Sequence, residues 1–169
     1  MQQTAKLYSY SYREYKTYLF SVFFIGGNII LPQLCHLIPN GGLIFLPIYF
    51  FTLIAAYKYG ITVGVLTAVA SPLANSLLFG MPPVAALPVI ILKSFVLALV
   101  ASIVAGRVRK VSIIALAIVV ALYQLAGGVA EWGITGSVNV ALQDFNIGLP
   151  GMILQVLGGY IVLKTLEKR

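Results

Sequence analysis

The sequence predicts an all-α integral membrane protein, and three observations support that fold class. Of the 169 residues, 60% are hydrophobic and only 9% are charged, and the mean hydropathy is +1.00. A soluble domain carries roughly 25% charged residues, so the composition excludes an ordinary soluble enzyme. Apolar stretches of about 20 residues, the length that crosses a bilayer as a helix, follow one another along the chain. Stretches such as residues 113–122 lack the alternation of a barrel strand, which favours helices.

Helix-breaking residues divide the apolar sequence into six predicted spans. Residues 39–42 separate the first two spans, residues 80–83 separate the third from the fourth, and Gly148 with Pro150 begins the sixth. The predicted spans are residues 17–38, 43–59, 61–79, 84–106, 111–130 and 148–166. The chain therefore divides into a polar N-terminal segment, residues 1–16, and one six-helix transmembrane domain, residues 17–169.

The basic residues predict how the domain is oriented. Ten of the 11 Lys and Arg residues fall on one side of the six-span arrangement, which the positive-inside rule assigns to the cytoplasm. These ten are Lys6, Arg13, Lys16, Lys58, Arg107, Arg109, Lys110, Lys164, Lys168 and Arg169. Both termini are therefore predicted to be cytoplasmic, with residues 1–16 at the membrane interface. The net charge of +7 is explained by the membrane, and no nucleic-acid partner is expected.

Lys93, the remaining basic residue, is predicted to lie inside the fourth span. A charged side chain near the bilayer centre costs about 2.5–3.5 kcal/mol on insertion scales, so it normally faces a cavity or an opposite charge. In a functional interpretation, Lys93 binds an anionic part of a substrate. In a structural interpretation, it pairs with Glu131 or Asp144, or extends to the interface.

Other polar residues inside or at the ends of spans are candidate ligand contacts. Glu131 and Trp132 lie at the outer end of span five, where a Trp either anchors the helix or stacks on a flat ring. The amides of Asn75 and Gln124 either bridge helices or bind a polar edge of a ligand. His36 ends span one and is a weaker candidate, because a lone histidine there commonly bonds a neighbouring loop.

Several kinds of chemistry are missing from the sequence. No Walker A sequence is present, so the chain is not expected to hydrolyse ATP. No nucleophile–base–acid pattern stands out, and one Cys with one His makes a structural metal site improbable. We therefore expect no cofactor, no metal and no enzymatic activity.

Small residues recur four apart on two spans, a pattern that lets helices approach closely. Thr17 and Ser21 show it in span one, and Ala98, Ser102 and Gly106 show it in span four. Such faces either pack inside the domain or dock another membrane subunit.

The order of motifs in residues 31–93 resembles that of S components, the substrate-binding membrane subunits of energy-coupling factor (ECF) vitamin transporters. The similarity is to the group that includes folate, pantothenate and cobalamin carriers. The motifs are Leu-Pro-Gln-Leu-Cys-His at 31–36, Gly-Gly at 41–42, Leu-Pro-Ile-Tyr at 46–49, Ala-Ser-Pro-Leu at 70–73, Gly-Met-Pro-Pro at 80–83 and Leu-Pro at 87–88. The six-span topology and the basic cytoplasmic ends extend the resemblance over the whole chain.

The resemblance implies a multi-pass protein of the bacterial cytoplasmic membrane that binds a vitamin from outside. Its implied partners are a membrane scaffold subunit and two cytoplasmic ATPases. The implied site lies in the outer parts of spans four to six, near Lys93, Glu131, Trp132 and Asn139, beneath the loops at residues 39–42 and 80–84.

Two details of the resemblance concern docking and substrate. The implied docking face lies in span one, with either Thr17 and Ser21 or Gly26 and Gly27 at the small-residue positions. Lys93 stands where the group often has an acid, which favours an anionic ligand such as pantothenate, lipoate or biotin.

Two other function classes are weighed against this one. A small secondary transporter or channel acting as a homo-oligomer would need coupling groups or a pore, and only Lys93 suggests either. A membrane enzyme acting on lipid would need clustered acids or histidines, and four acids with one histidine argue against it.

Overall fold

The computed structural model describes residues 7–167, and within them the chain is helical without a strand. The basic residues Lys6, Lys168 and Arg169, and residues 1–6 of the predicted N-terminal segment, lie outside the described residues. The α-helices are α1 (Tyr15–Cys35), α2 (Gly41–Phe45), α3 (Phe50–Tyr59), α4 (Ile61–Phe79), α5 (Leu87–Val108), α6 (Ile113–Thr135), α7 (Val138–Ala141), α8 (Gln143–Asn146) and α9 (Leu149–Glu167). Short 3-10 turns, Pro47–Tyr49 and Val84–Ala86, precede α3 and α5.

Five helices in the described part are long and apolar enough to cross a membrane: α1, α4, α5 with its preceding turn, α6 and α9. The expected all-α architecture is therefore confirmed, together with several candidate membrane-spanning helices. The second predicted span, residues 43–59, is not a continuous helix. Leu46 takes a left-handed conformation (φ 46°) and ends α2, and Pro47 begins the 3-10 turn that leads into the ten-residue α3.

The short helix α3 lies at the centre of the bundle. Nine of its ten residues are buried, and it packs against α1, α4, α5 and α9. The contact with α4 depends on Gly64, because a Cβ there would lie 2.6 Å from the Ala56 Cβ and 3.3 Å from the Ala98 Cβ. Close packing on all sides explains how an interrupted segment is accommodated, since irregular backbone at membrane depth needs cover by protein.

Hydrogen bonds identify the basic end of the bundle. The Tyr8 amide donates to the Lys58 carbonyl (2.9 Å), and the Tyr57 hydroxyl donates to the Lys110 carbonyl (2.8 Å). The N-terminal segment, the end of α3 and the α5–α6 connection therefore meet at this end. Lys58 differs from the expected loop position, because it belongs to the last turn of α3, is 3% exposed and lies 5.5 Å from the Tyr8 ring centroid.

The opposite end of the bundle holds the α1–α2, α4–α5 and α6–α9 connections. Here the start of α9 packs tightly on α2, because a Cβ at Gly151 would lie 2.5 Å from the Phe45 carbonyl oxygen. The Gln155 side chain also donates a long hydrogen bond (3.5 Å) to the Leu46 carbonyl, and it accepts one from the Tyr123 hydroxyl (2.9 Å). The break at Leu46 is thereby held by α6 and α9.

Candidate functional site

A cavity of about 480 Å³ lies at the end of the bundle opposite the basic end. It is a partly open cavity lined by the end of α1, the α1–α3 connection, α4, the α4–α5 connection and the start of α5. Residues from both predicted covering loops, 39–42 and 80–84, contribute to its lining. Its polar side chains are those of His36, Asn40 and Asn75, and none of its 15 lining residues is Asp, Glu, Lys or Arg. The walls are therefore chiefly apolar; of the three polar side chains His36 and Asn40 are exposed, whereas Asn75 is 1% exposed.

Proline forms an unusual share of the cavity wall. Five of the 15 lining residues are proline, whereas the whole chain has eight. These are Pro32, Pro39, Pro47, Pro82 and Pro83. Proline has a fixed φ and no backbone N–H, so these walls are stiff and offer no donor from the main chain at those positions.

Asn75 connects the cavity to the interior of the bundle. Its side chain amide donates hydrogen bonds to the Asn28 carbonyl (2.8 Å) and the Ser71 carbonyl (3.0 Å). Its Oδ1 accepts one long bond, 3.5 Å, from the Gln33 side chain. The residue is 1% exposed, so its orientation is set by these contacts and not by solvent.

Asn28 fixes the helices that support Asn75. Its amide group donates to the hydroxyls of Thr52 (3.0 Å) and Ser71 (3.2 Å), and its Oδ1 accepts the backbone N–H of Phe51 (3.2 Å). That N–H lies in the first turn of α3 and has no partner within the helix. The buried Asn28 side chain therefore caps α3 from α1 and holds α4 against both helices.

Lys93 forms ion pairs with two carboxylates. Its ammonium donates to Oε2 of Glu131 and to Oδ2 of Asp144, the latter at 2.9 Å. The side chain of Lys93 is 4% exposed, and those of both acids are 14% exposed. Gly127 makes the approach possible, because a Cβ there would lie 2.6 Å from the Lys93 Cγ.

The geometry therefore matches the structural interpretation of Lys93, in which it pairs with an acid. The three side chains together carry a formal charge of −1. An anionic ligand would have to displace one of the carboxylates, and Lys93 does not line the cavity. The expected contact between Lys93 and an anionic substrate thus has no support in this arrangement.

The other predicted ligand contacts are dispersed. His36 and Asn75 line the cavity. Gln124 is 1% exposed, and neither of its amide atoms has a hydrogen-bond partner among residues 7–167. Trp132 is 52% exposed and Asn139 is also on the surface, so the structure does not bring them into one pocket with Lys93.

The expected docking face on α1 needs a correction. Thr17 and Ser21 are buried, with the Thr17 hydroxyl donating to the Ser11 carbonyl (2.6 Å) and the Ser21 hydroxyl to the Thr17 carbonyl (2.7 Å). Both residues pack inside the bundle with their hydroxyls bonded to main-chain carbonyls, so they are not free to meet another subunit. Gly26 differs, since a Cβ at this position would meet nothing within 4 Å. On α5, Ala98 is buried, Ser102 is half-buried and Gly106 is exposed, so that small-residue face packs inside the bundle only in part.

Sequence reasoning missed the prolines and Asn40 as lining residues. The prolines were predicted to break helices, and those in 39–42 and 80–84 to belong to loops that cover the site, but none was predicted to line it. Their concentration in the two connections at one predicted side of the membrane was a usable signal. In the described part of the chain, no group of three His, Cys, Asp or Glu side chains is arranged to hold a metal ion.

The cavity and the Lys93 ion pairs thus both lie at this end of the bundle. Comparison with known proteins finds no match to the chain among protein-family models, curated proteins or solved structures.

Proposed function

We propose that the chain is the substrate-binding membrane subunit of an ECF-type importer and holds a vitamin-sized molecule in the cavity of His36 and Asn75. The observation that supports this most is the meeting of the connections at 39–42 and 80–84 around one cavity. Those are the loops that the resemblance to S components implies as covers of a ligand. The volume of about 480 Å³ falls within the roughly 300–1,000 Å³ of small-molecule sites.

The proposed orientation places the basic end in the cytoplasm of a bacterial cell and the cavity at the outer surface. The basic residues Arg107, Arg109 and Lys110 of the α5–α6 connection support it, by the positive-inside rule. In this arrangement, α2, the 3-10 turn and α3 together form the return passage between α1 and α4. Both termini are then cytoplasmic and the chain crosses the membrane six times.

The proposed ligand is uncharged where it meets the cavity wall. The lining has no acid and no permanent cation, so an ionic group of the ligand would lose its hydration without gaining a partner. An acidic vitamin such as pantothenate, lipoate or biotin fits this proposal only if its carboxylate stays at the mouth of the cavity, near solvent.

The proposed partners are a membrane scaffold and two ATPases, because the chain has no nucleotide-binding sequence of its own. The outward face of α1 supports a docking role near Gly26. Val22 and Phe23 are each 68% exposed there, and a Cβ at Gly26 would meet nothing within 4 Å. In the absence of a partner, lipid covers the same apolar face.

A matched pair of alanine substitutions tests the cavity. Ala86 lines it, whereas its neighbour Ala85 is exposed and does not. Native mass spectrometry of the detergent-purified protein, as isolated and after incubation with a panel of B vitamins, measures ligand retention. We expect Ala86→Phe to lose a ligand that the wild type and Ala85→Phe both retain. Equal retention by both variants would place the ligand elsewhere, and no ligand under any condition would reject the proposal.

Transport in proteoliposomes separates the proposal from a self-sufficient secondary transporter or channel. For the ligand identified above, we expect uptake only when the scaffold and both ATPases are present with ATP. Uptake by the chain alone, driven by an ion gradient, would favour the secondary transporter. Ligand retention does not depend on the result of the transport assay. Binding in the cavity and dependence on ATPase partners can therefore be rejected separately.

A further inference from the structure

A partly open groove of about 710 Å³ lies at the basic end of the bundle. Among the described residues, three parts of the chain line it: residues 7–9 of the N-terminal segment, the junction of α3 with α4, and the end of α5. The groove is therefore separate from the cavity of His36, which lies at the opposite end.

The groove is charged at one end and apolar along its side. It follows the last two turns of α5, from Ser102 to Arg109, a rise of about 10 Å. Ile61 and Ile103 line it and are 37% and 50% exposed. Gly106 leaves room beside them, because a Cβ there would meet nothing within 4 Å. An occupant that fills this shape is itself elongated, with a polar end and an apolar body.

Arg109 is the charged residue that lines the groove. It follows α5 in a left-handed conformation (φ 51°), and its Nε donates a long hydrogen bond (3.4 Å) to the Gly106 carbonyl. Its two terminal nitrogens bond no group within residues 7–167, and the side chain forms no ion pair there. A guanidinium with free terminal N–H groups presents a fork that matches two oxygens of a phosphate.

The surroundings of Arg109 have a surplus of positive charge. Arg107 and Lys110 lie in the same α5–α6 connection, and neither forms an ion pair in the described part of the chain. The two acids at this end, Glu14 and Glu167, each accept a bond from a residue of their own segment. Basic pockets between membrane helices bind anionic lipid headgroups, so the charge at this end favours an anion.

We propose that the groove binds an anionic phospholipid, with the phosphate at Arg109 and an acyl chain along α5 past Gly106 and Ile103. The shape favours a lipid over free phosphate, because a small anion would leave the apolar length of the groove unfilled. The position agrees, since α4 and α5 are both candidate membrane-spanning helices. The inference is independent of the proposed function and requires only that the basic end lies at a membrane surface.

A titration followed by native mass spectrometry tests the charged end of the groove. The delipidated protein in detergent is titrated with dioleoyl phosphatidylglycerol or with zwitterionic dioleoyl phosphatidylcholine, and the first bound lipid gives a dissociation constant. We expect phosphatidylglycerol to bind about fivefold more tightly, the effect of one basic residue near anionic lipid. Arg109→Gln should abolish this preference.

Arg107→Gln is the matched control, because it removes the same charge from a residue that does not line the groove. It should keep the fivefold preference for phosphatidylglycerol. Equal losses in Arg107→Gln and Arg109→Gln would overturn the inference, since the lipid would then respond only to the general charge of this end.

Gly106→Leu tests the apolar length of the groove. The new side chain starts in open space, so it should fill the groove without a clash and weaken phosphatidylglycerol about tenfold. Gly26→Leu, at another helical glycine with open space around it, should leave lipid binding unchanged. Equal binding by both variants would overturn the placement of the acyl chain.

Three further outcomes would each overturn the inference. The first is equal affinity of the wild type for the two lipids, or no lipid bound at all. The second is displacement of phosphatidylglycerol by an equal concentration of glycerol 3-phosphate, because a free phosphate would then be sufficient. The third is a dimer of the wild type that Gly106→Leu abolishes, which would assign the groove to a second copy of the chain.

Discussion

Lys93 bonds Glu131 and Asp144 at once, so a single ammonium on α5 joins α6 to the short helix α8. The two acids lie 38 and 51 residues further along the chain, and the α6–α9 connection is held down through this contact. Removing one partner of a buried ion pair leaves uncompensated charge, which costs about 3–5 kcal/mol.

Lys93→Met should therefore lower the stability of the ligand-free protein by about 3–5 kcal/mol, because two carboxylates lose their shared cation. Thermal unfolding in detergent measures this. Adding Glu131→Gln and Asp144→Asn to the same chain should restore part of the loss. If Lys93→Met instead had normal stability but no longer bound ligand, Lys93 would be a substrate contact.

Gly64→Ala should destabilise the bundle by about 1–3 kcal/mol, because the new methyl group overlaps the Ala56 Cβ at 2.6 Å and its Cα at 2.9 Å. Gly26→Ala is the matched control, since it is also a helical glycine but has open space around it. That control should be neutral or slightly stabilising, as expected for alanine in a helix. Equal melting temperatures for the two variants would contradict the close packing of α3 on α4.

Asn28→Ala should cost about 2 kcal/mol, the sum of three interhelical bonds at roughly 0.6 kcal/mol each within a membrane. The main effect is loss of the acceptor for the Phe51 N–H at the start of α3. Asn139→Ala, at an exposed amide, should leave the unfolding temperature unchanged. Chemical denaturation in mixed micelles measures the free energy of unfolding of both variants. Similar values for Asn28→Ala and Asn139→Ala would contradict the capping role of Asn28.

Trp132 should report the membrane interface and not the ligand. It is the only Trp in the chain, is 52% exposed and does not line the cavity. Its fluorescence should be quenched by lipids brominated near the headgroup and should stay constant when ligand is added. A change of emission that saturates with ligand would show that Trp132 stacks on it, as the sequence allowed.

Much of the fold follows from local sequence. The chain has too few charged residues, 9%, to cover the surface of a soluble protein. Its apolar stretches of about 20 residues are long enough to cross a bilayer as helices, where the backbone must satisfy its own hydrogen bonds. Five of the six predicted spans correspond to long apolar helices, with ends shifted by a few residues. The second differs because the left-handed Leu46 before Pro47 interrupts it, and hydropathy does not register backbone conformation.

The candidate site was predicted in part. His36 and Asn75 line the cavity together with both covering loops, whereas Trp132 and Asn139 are exposed and do not line it. Helical spacing shows which residues share a face, but not which way that face turns in a bundle. The buried positions of Thr17 and Ser21 illustrate the same limit, because small-residue spacing suits internal packing as well as docking.

The sequence by itself determined the membrane class, the approximate helices and the separation of basic residues, because these depend on composition and on intervals along the chain. Only the tertiary structure decided that Lys93 is shared by two acids and that carbonyls of Asn28 and Ser71 fix the Asn75 amide beside a cavity lined by five prolines. Except for the bond from Asn75 to Ser71, these contacts join atoms that are more than 35 residues apart in the sequence. Local sequence patterns do not predict how such distant residues contact one another.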